Sequence, residues 1–214
     1  MSDATSQFDD LVATLNQFAA PAATEPLAFG DALDSLGHNA YTLTATLAIL
    51  PFLQPIPLGL FALVGSAAFI ALGLQLYKGE ANLALPQKIR TVTLSLRMRQ
   101  ALVNTCLNII RFFRKLSKPR LSFLVEGRTK EKVGGFIFIM VGLLVAIPLG
   151  GVVPFKNLFP SLAVLFYCTG EVERDGLMVI FALICLVLTI IFYSLLAYLI
   201  LKFGVVAFNH FFWK

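Results

Sequence analysis

Polar side chains that could do chemistry are few in this chain, and they fall into two groups. The first occupies two Pro-interrupted segments, with Gln54 in one and Lys156 and Asn157 in the other. Polar residues at membrane depth are costly unless paired, so this group is a candidate substrate-binding or pore-lining set. If the two segments lie instead at the membrane surface, Lys156 is a solvated charge. The second group follows an apolar segment and consists of Glu171, Glu173, Arg174 and Asp175.

The second group has a structural and a functional interpretation. Asp175 precedes a long apolar segment and is placed to put negative charge at the N-terminus of a helix. Arg174 is placed to pair with a neighbouring carboxylate or to cap the adjacent helix. A contact with a substrate or partner, or two acids sharing a proton as in transporters, is the alternative.

Enzyme signatures are missing from the sequence. It contains no Gly-rich phosphate loop, no GxSxG elbow and no HExxH pair. Cys106, Cys168 and Cys185 are unevenly spaced, and His38 and His210 are far apart. Neither set has the spacing of a disulfide framework or a zinc site. We therefore expect no catalytic activity, no cofactor and no metal.

Composition decides the broad class of protein. The 214 residues are 58% hydrophobic and 14% charged, and the mean hydropathy is +0.83. Soluble domains average roughly 45–50% apolar and 25% charged residues. Lipid is therefore the expected solvent, and the predicted fold is an all-α, polytopic integral membrane protein.

Charge is distributed unevenly along the chain. Residues 1–36 contain six acids and no Lys or Arg, whereas residues 78–132 hold 13 of the 17 basic residues. Loops this basic are retained in the cytoplasm. We expect a multi-pass protein of the bacterial inner membrane with the basic segment on the cytoplasmic side.

Two parts of the chain match when one is shifted by 97 positions. The matched residues are glycines and prolines, which mark backbone breaks and close approaches; the pairs are Gly37 and Gly134, Pro51 and Pro148, Pro57 and Pro154, Gly73 and Gly170, and Gly79 and Gly176. Duplicated halves with interrupted hydrophobic segments indicate a central binding site in membrane proteins. Coincidence among similar helices is the alternative.

Each half contains two apolar segments separated by a break. The segments cover about 38–50, 58–77, 133–147 and 158–169, and the breaks carry Pro51, Pro55 and Pro57, then Pro148, Pro154 and Pro160. Three segments are shorter than the roughly 30 Å hydrocarbon core requires. They favour re-entrant hairpins that turn at membrane depth, although tilted hairpins with turns at the interface also fit. Residues 176–201 predict one long span that Lys202 ends.

These boundaries divide the chain into five parts. They are an acidic segment with a short amphipathic helix (1–36), a first membrane repeat (37–85), a basic linker (86–132), a second repeat with the long span (133–202) and an interfacial aromatic tail (203–214).

The basic linker has a seven-residue polar period. Its members are Arg90, Arg97, Asn104, Arg111 and Lys118, opposite a wide apolar face. This pattern is typical of a helix lying on anionic lipid, which Arg90, Arg97, Arg111 and Lys118 would contact. A helix packed on the protein's own cytoplasmic face is the alternative, and no nucleic-acid partner is expected.

Several stretches resemble one family from about Gly30 to Leu201. They are GDALDSLG, ILPFLQPIPLG, the basic linker and IPLGGVVPFKNLFPSLAVLFYCTGEVERDGLMVI. Together they look like the ExoD family of bacterial membrane proteins of exopolysaccharide synthesis. Lys156 stands where a small residue such as Gly is expected in that family. The resemblance implies a role in exopolysaccharide production and no particular reaction.

Two functions follow as hypotheses. The first is a transporter-like or lipid-handling protein that serves polysaccharide synthesis or export, in which a homodimer could close a central path. The alternative is a non-catalytic scaffold or regulator that binds polysaccharide synthesis or export proteins through the basic helix.

Overall fold

The computed structural model describes residues 39–53, 60–80, 120–147 and 156–212, with short stretches at 12–13, 83–84 and between 87 and 108. Every regular element longer than one bridge in these residues is helical, which confirms the all-α expectation for the described part of the chain. The helices are α1 (Asn39–Ile49), α2 (Leu60–Lys78), α3 (Gly127–Ala146), α4 (Leu158–Val172) and α5 (Gly176–Phe212), and 3-10 turns cover Leu50–Leu53 and Ser122–Leu124.

α2 and α3 pack antiparallel along small residues. A Cβ on Gly73 would lie 2.7 Å from the amide nitrogen of Ile139, and one on Gly142 would lie 2.8 Å from the carbonyl oxygen of Ser66. The two backbones therefore approach as closely as the lack of a side chain allows. Small residues at such interfaces let helices associate in lipid, where burial of apolar surface provides no driving force.

The helix ends gather in two layers. The Tyr41 hydroxyl donates to the carbonyl oxygen of Glu80, 3.0 Å away, so α1 begins where α2 ends. Thr42 bonds Glu171, so α1 also begins where α4 ends. We call this layer, which also holds the first turns of α3 and α5, the base. The opposite layer, with Leu50–Leu53 and residues 156–157, is called the turn end.

An aromatic row runs through the core from the turn end toward the base. Phe52 meets Phe69, Phe69 meets Phe138 and Phe138 meets Tyr167, at ring-centroid distances of 6.1, 6.3 and 5.4 Å. All three contacts are edge-to-face, which is a favourable arrangement for ring quadrupoles. The row joins α2, α3 and α4 into one core with the 3-10 turn after α1.

α5 differs from the other helices in its length and exposure. Among the described residues it is the one helix long and apolar enough to cross a membrane, over Gly176–Lys202. Val179, Ala182 and Leu186 are buried against the bundle, while Leu201 on the opposite end is 68% exposed. α1, α2 and α4 are apolar but shorter.

Two helices extend beyond the apolar segments that the sequence predicts. The apolar span of α5 covers Gly176–Lys202, as the sequence predicts, but the helix itself continues to Phe212. One charge does not interrupt backbone hydrogen bonding, and no proline follows it. α3 begins at Gly127, within the segment assigned to the linker, because Arg128, Lys130 and Lys132 are good helix formers as well as basic residues.

Candidate functional site

A buried ion pair lies at the base. The ammonium of Lys130 is 2.8 Å from Oε1 of Glu171, and the two side chains are 14% and 4% exposed. The Thr42 hydroxyl donates to the other carboxylate oxygen at 2.7 Å. A buried charge is tolerated when it is paired and its remaining lone pairs are hydrogen-bonded. Both oxygens of the Glu171 carboxylate are thus engaged from two other helices.

Helix ends bring these three groups together. Glu171 lies in the last turn of α4, Lys130 in the first turn of α3, and Thr42 in the first turn of α1. One turn before Glu171, the Tyr167 hydroxyl donates to the Lys130 carbonyl oxygen at 3.0 Å. Gly134 makes room for this ring, since a Cβ there would overlap the Tyr167 hydroxyl. We call Thr42, Lys130, Tyr167 and Glu171 the base network.

The predicted cluster 171–175 covers the last residues of α4 and the short turn that joins α4 to α5. Oδ1 of Asp175 accepts the amide of Leu177 at 3.0 Å, so this residue caps α5 as one of its two interpretations predicted. Arg174 has φ of 52°, the left-handed conformation in which a helix commonly ends. Glu173 is 7% exposed at the end of α4.

The end of the linker is bonded to the same turn. The amide of Gly176 donates to the Arg120 carbonyl oxygen at 2.7 Å, and Arg120 and Asp175 form a parallel bridge. A Cβ on Gly176 would overlap the carbonyl of Leu121. The backbone leaving the basic segment therefore contacts the helical turn that follows the base network.

A second polar set lies at the turn end, on the residues that lead into α4. The Lys156 ammonium donates to the Ile147 carbonyl oxygen at 3.2 Å. Asn157 is 6% exposed, and its amide oxygen has no hydrogen-bond partner among the residues that the structure describes. The Tyr193 hydroxyl reaches the Lys156 carbonyl oxygen at 3.5 Å. We call Lys156, Asn157 and Tyr193 the turn site.

Pro160, which the sequence grouped with the backbone breaks, lies inside the first turn of α4, where a missing amide hydrogen is harmless. Pro51 does lie in a break, the 3-10 turn after α1. The other predicted break prolines and the polar residue of the first break are outside the described residues: Pro55, Pro57, Pro148, Pro154 and Gln54.

The structure describes two members of the polar stripe of the linker, Arg97 and Asn104. Arg97 and Asn104 are exposed, and Val103 and Leu107 of the apolar face are each 3% exposed. Val103 and Leu107 fit the predicted amphipathic helix, whereas Leu96, on the same predicted apolar face, is 36% exposed. Arg90, Arg111 and Lys118 are outside the described residues, so contact with anionic lipid stays a prediction.

Sequence reasoning missed most of the base network. The sequence pattern places Lys130 in the basic linker, and Thr42 and Tyr167 in apolar segments. A signal was present in Tyr167 and Glu171, which lie one helical turn apart at the end of an apolar segment and so share a face.

A family model described as "Exopolysaccharide synthesis, ExoD" matches residues 11–195. The chain belongs to the ExoD family. It is 31% identical over 169 residues to Protein ExoD of Rhizobium meliloti (strain 1021), an alignment that covers 76% of this chain and 67% of that protein. No solved structure matches the chain. ExoD membership links the protein to exopolysaccharide synthesis.

Proposed function

We propose that this ExoD-family protein is a multi-pass protein of the bacterial inner membrane that handles a lipid or transported substrate of exopolysaccharide production. The substrate would be met at two re-entrant hairpin turns inside the bilayer. The single observation that carries this proposal is the position of the turn site along α5.

Tyr193 gives the depth of the turn. Its hydroxyl contacts the Lys156 carbonyl, and Tyr193 lies about 25 Å along α5 from Gly176 and about 13 Å before Lys202, at 1.5 Å per residue. If a hydrocarbon core of roughly 30 Å is centred on Gly176–Lys202, the turn lies about 9 Å inside the edge of the core that is nearer Lys202. Irregular backbone is tolerated there only where protein or a wet cavity covers it.

The helix limits support two related hairpins. α1 ends at Ile49 and α3 at Ala146, which are 97 positions apart, the offset of the sequence match. α2 begins at Leu60 and α4 at Leu158, within one position of the same offset. Each hairpin's first helix packs on the other's second helix, because α1 contacts α4 and α2 contacts α3. Two units related by a two-fold axis would pair in this reciprocal way.

Charge supports an orientation with the base in the cytoplasm. Arg120 and Arg128 are exposed at this layer, and the basic linker leads directly into it. Cytoplasmic loops carry the excess of Lys and Arg. Both hairpins would then enter from the cytoplasm, as parallel rather than inverted repeats, and α5 would cross to the periplasm.

Cysteine labelling tests the depth of the turn. In a variant in which Cys106, Cys168 and Cys185 are replaced by Ser, single cysteines are placed at Lys156, at Phe123 on the base and at Lys202. A membrane-impermeant maleimide should label Phe123→Cys from the cytoplasmic side, Lys202→Cys from the periplasmic side, and Lys156→Cys much more slowly than either. Labelling of Lys156→Cys from outside as fast as Lys202→Cys would place the turn at the interface and remove the re-entrant proposal.

A scaffold or regulator is the second candidate. It is favoured by the exposed Arg97 and Asn104 opposite the buried Val103 and Leu107, a polar stripe available to a partner protein. Co-purification of polysaccharide synthesis or export proteins with the wild-type chain, lost when Arg97 is changed to Glu, would support it.

A further inference from the structure

The turn site presents an unsatisfied acceptor beside positive charge. Asn157 is the N-cap residue of α4, yet its side chain makes no capping hydrogen bond. Its amide oxygen is buried and has no partner among the described residues. A buried acceptor left without a donor is destabilising, and native structures retain few of them. The group is therefore suited to a donor that the described residues do not supply, such as the hydroxyl of a ligand.

Two sources of positive charge lie next to Asn157 along the chain, Lys156 and the N-terminus of α4. Lys156 is adjacent in sequence and half-buried, and one of its three donors is directed to the Ile147 carbonyl. An ammonium offers two further donors. The N-terminus of α4, fifteen residues long, adds free amide hydrogens and the positive end of the helix dipole. An anion is the natural complement of this pair of features.

Exposure gives the order in which a ligand would meet these groups. Lys156 is half-exposed, whereas Asn157 is almost fully covered. The anionic part of a ligand would thus contact Lys156 from the accessible side, and an adjacent hydroxyl would extend inward to Asn157.

We propose that the turn site binds a lipid headgroup that carries a phosphate and, beside it, a free hydroxyl. The phosphate would accept from Lys156 and the N-terminus of α4, and the hydroxyl would donate to the amide oxygen of Asn157. This inference rests on the proposed function, because a lipid headgroup reaches the site only if the turn is near or within the bilayer. Phosphatidylglycerol and a polyprenyl-phosphate hexose both carry this chemistry.

Lipid binding to the purified full chain tests the proposal. Native mass spectrometry from detergent would compare four lipids: phosphatidylglycerol and polyprenyl-phosphate hexose, which have both groups; phosphatidic acid, which lacks the hydroxyl; and a glucosyl diacylglycerol, which lacks the phosphate. Either lipid with both groups should bind about tenfold more tightly than the lipids with one, the effect of one additional hydrogen bond to a desolvated group. Whichever of phosphatidylglycerol and polyprenyl-phosphate hexose binds more tightly identifies the class of lipid that supplies the headgroup.

Variants separate the two contacts. Asn157→Leu should reduce phosphatidylglycerol binding to the level of phosphatidic acid and leave phosphatidic acid unchanged. Lys156→Gln should reduce the advantage of phosphate over the neutral glycolipid, because only the N-terminus of α4 then contacts the phosphate. Matched controls are Asn104→Leu on the exposed linker and Lys202→Gln at the C-terminal end of the apolar span, about 13 Å along α5 from Tyr193, which should alter neither preference.

Equal binding of all four lipids would show only annular lipid and overturn the inference. An equal loss for every lipid in Asn157→Leu, with unchanged thermal stability, would overturn the hydroxyl contact. The labelling experiment fails or succeeds independently: headgroup selectivity with fast outside labelling of Lys156→Cys would keep the binding site and remove only its placement deep in the bilayer.

Discussion

Thr42 and Glu171 are 129 positions apart in the sequence, yet the threonine hydroxyl lies 2.7 Å from the carboxylate and donates to it. The bond joins the first turn of α1 to the last turn of α4. With Lys130 on the other carboxylate oxygen, it ties the first hairpin to the second at the base. The Glu171 carboxylate is almost fully buried, so the stability of its charged form depends on the contacts with Thr42 and Lys130.

Replacement of Lys130 by Ala should therefore strongly destabilise the fold. It removes the Lys130 ammonium from the buried Glu171 carboxylate, and breaking a buried pair typically costs about 3 kcal/mol or more. The free energy of unfolding in detergent would be measured for Lys130→Ala, Glu171→Ala and the double variant, with Lys132→Ala as an exposed control that should change stability by less than about 0.5 kcal/mol. Strict additivity of the two single effects would contradict a direct coupling.

The close packing of α2 on α3 gives a second prediction. Gly73→Val places atoms where the amide nitrogen of Ile139 lies, so the helices must separate at a cost of about 2 kcal/mol. Ala71→Val, on the exposed face of the same helix, adds similar volume without a neighbour. Thermal unfolding of both variants is the measurement. Equal stabilities would mean that the two helices do not approach at Gly73.

Substitutions of Asp175 distinguish a structural role as a helix cap from a functional role of its negative charge. Loss of the side chain in Asp175→Ala should destabilise α5 by about 1 kcal/mol, the usual contribution of an N-cap. Asp175→Asn keeps an oxygen that accepts the Leu177 amide, so it should fold nearly as well and support normal exopolysaccharide output. A folded Asp175→Asn protein that abolishes output would show that the negative charge has a role beyond capping.

The sequence was sufficient to predict the all-helical class because apolar runs and proline breaks act locally. The starts of α4 and α5 follow from such signals, and so does the cap by Asp175. The C-terminal end of α5 could not be predicted from such signals. Lys202 marks the edge of the apolar stretch, but a single lysine leaves the helical backbone intact.

The base network was harder to predict, because it depends on which helix ends meet. Lys130 is one of 13 basic residues in its region, and nothing in its neighbours singles it out. Only the antiparallel packing of α3 and α4 brings it to Glu171. Lys156 and Asn157, in contrast, were found because polar residues are rare at breaks between apolar segments.

Exopolysaccharide output distinguishes the two proposed functions. If the turn site handles substrate, Lys156→Ala and Asn157→Ala should lower the output of a complemented deletion strain severalfold, with membrane levels of the protein unchanged. Arg97→Glu should then have a smaller effect, because the linker stripe would only hold the protein on anionic lipid. A scaffold that works through its basic helix predicts the reverse order, since reversing one charge at an interface introduces repulsion against an acidic partner. Silent turn-site variants beside an inactive Arg97→Glu would therefore exclude the substrate-handling proposal in favour of the scaffold.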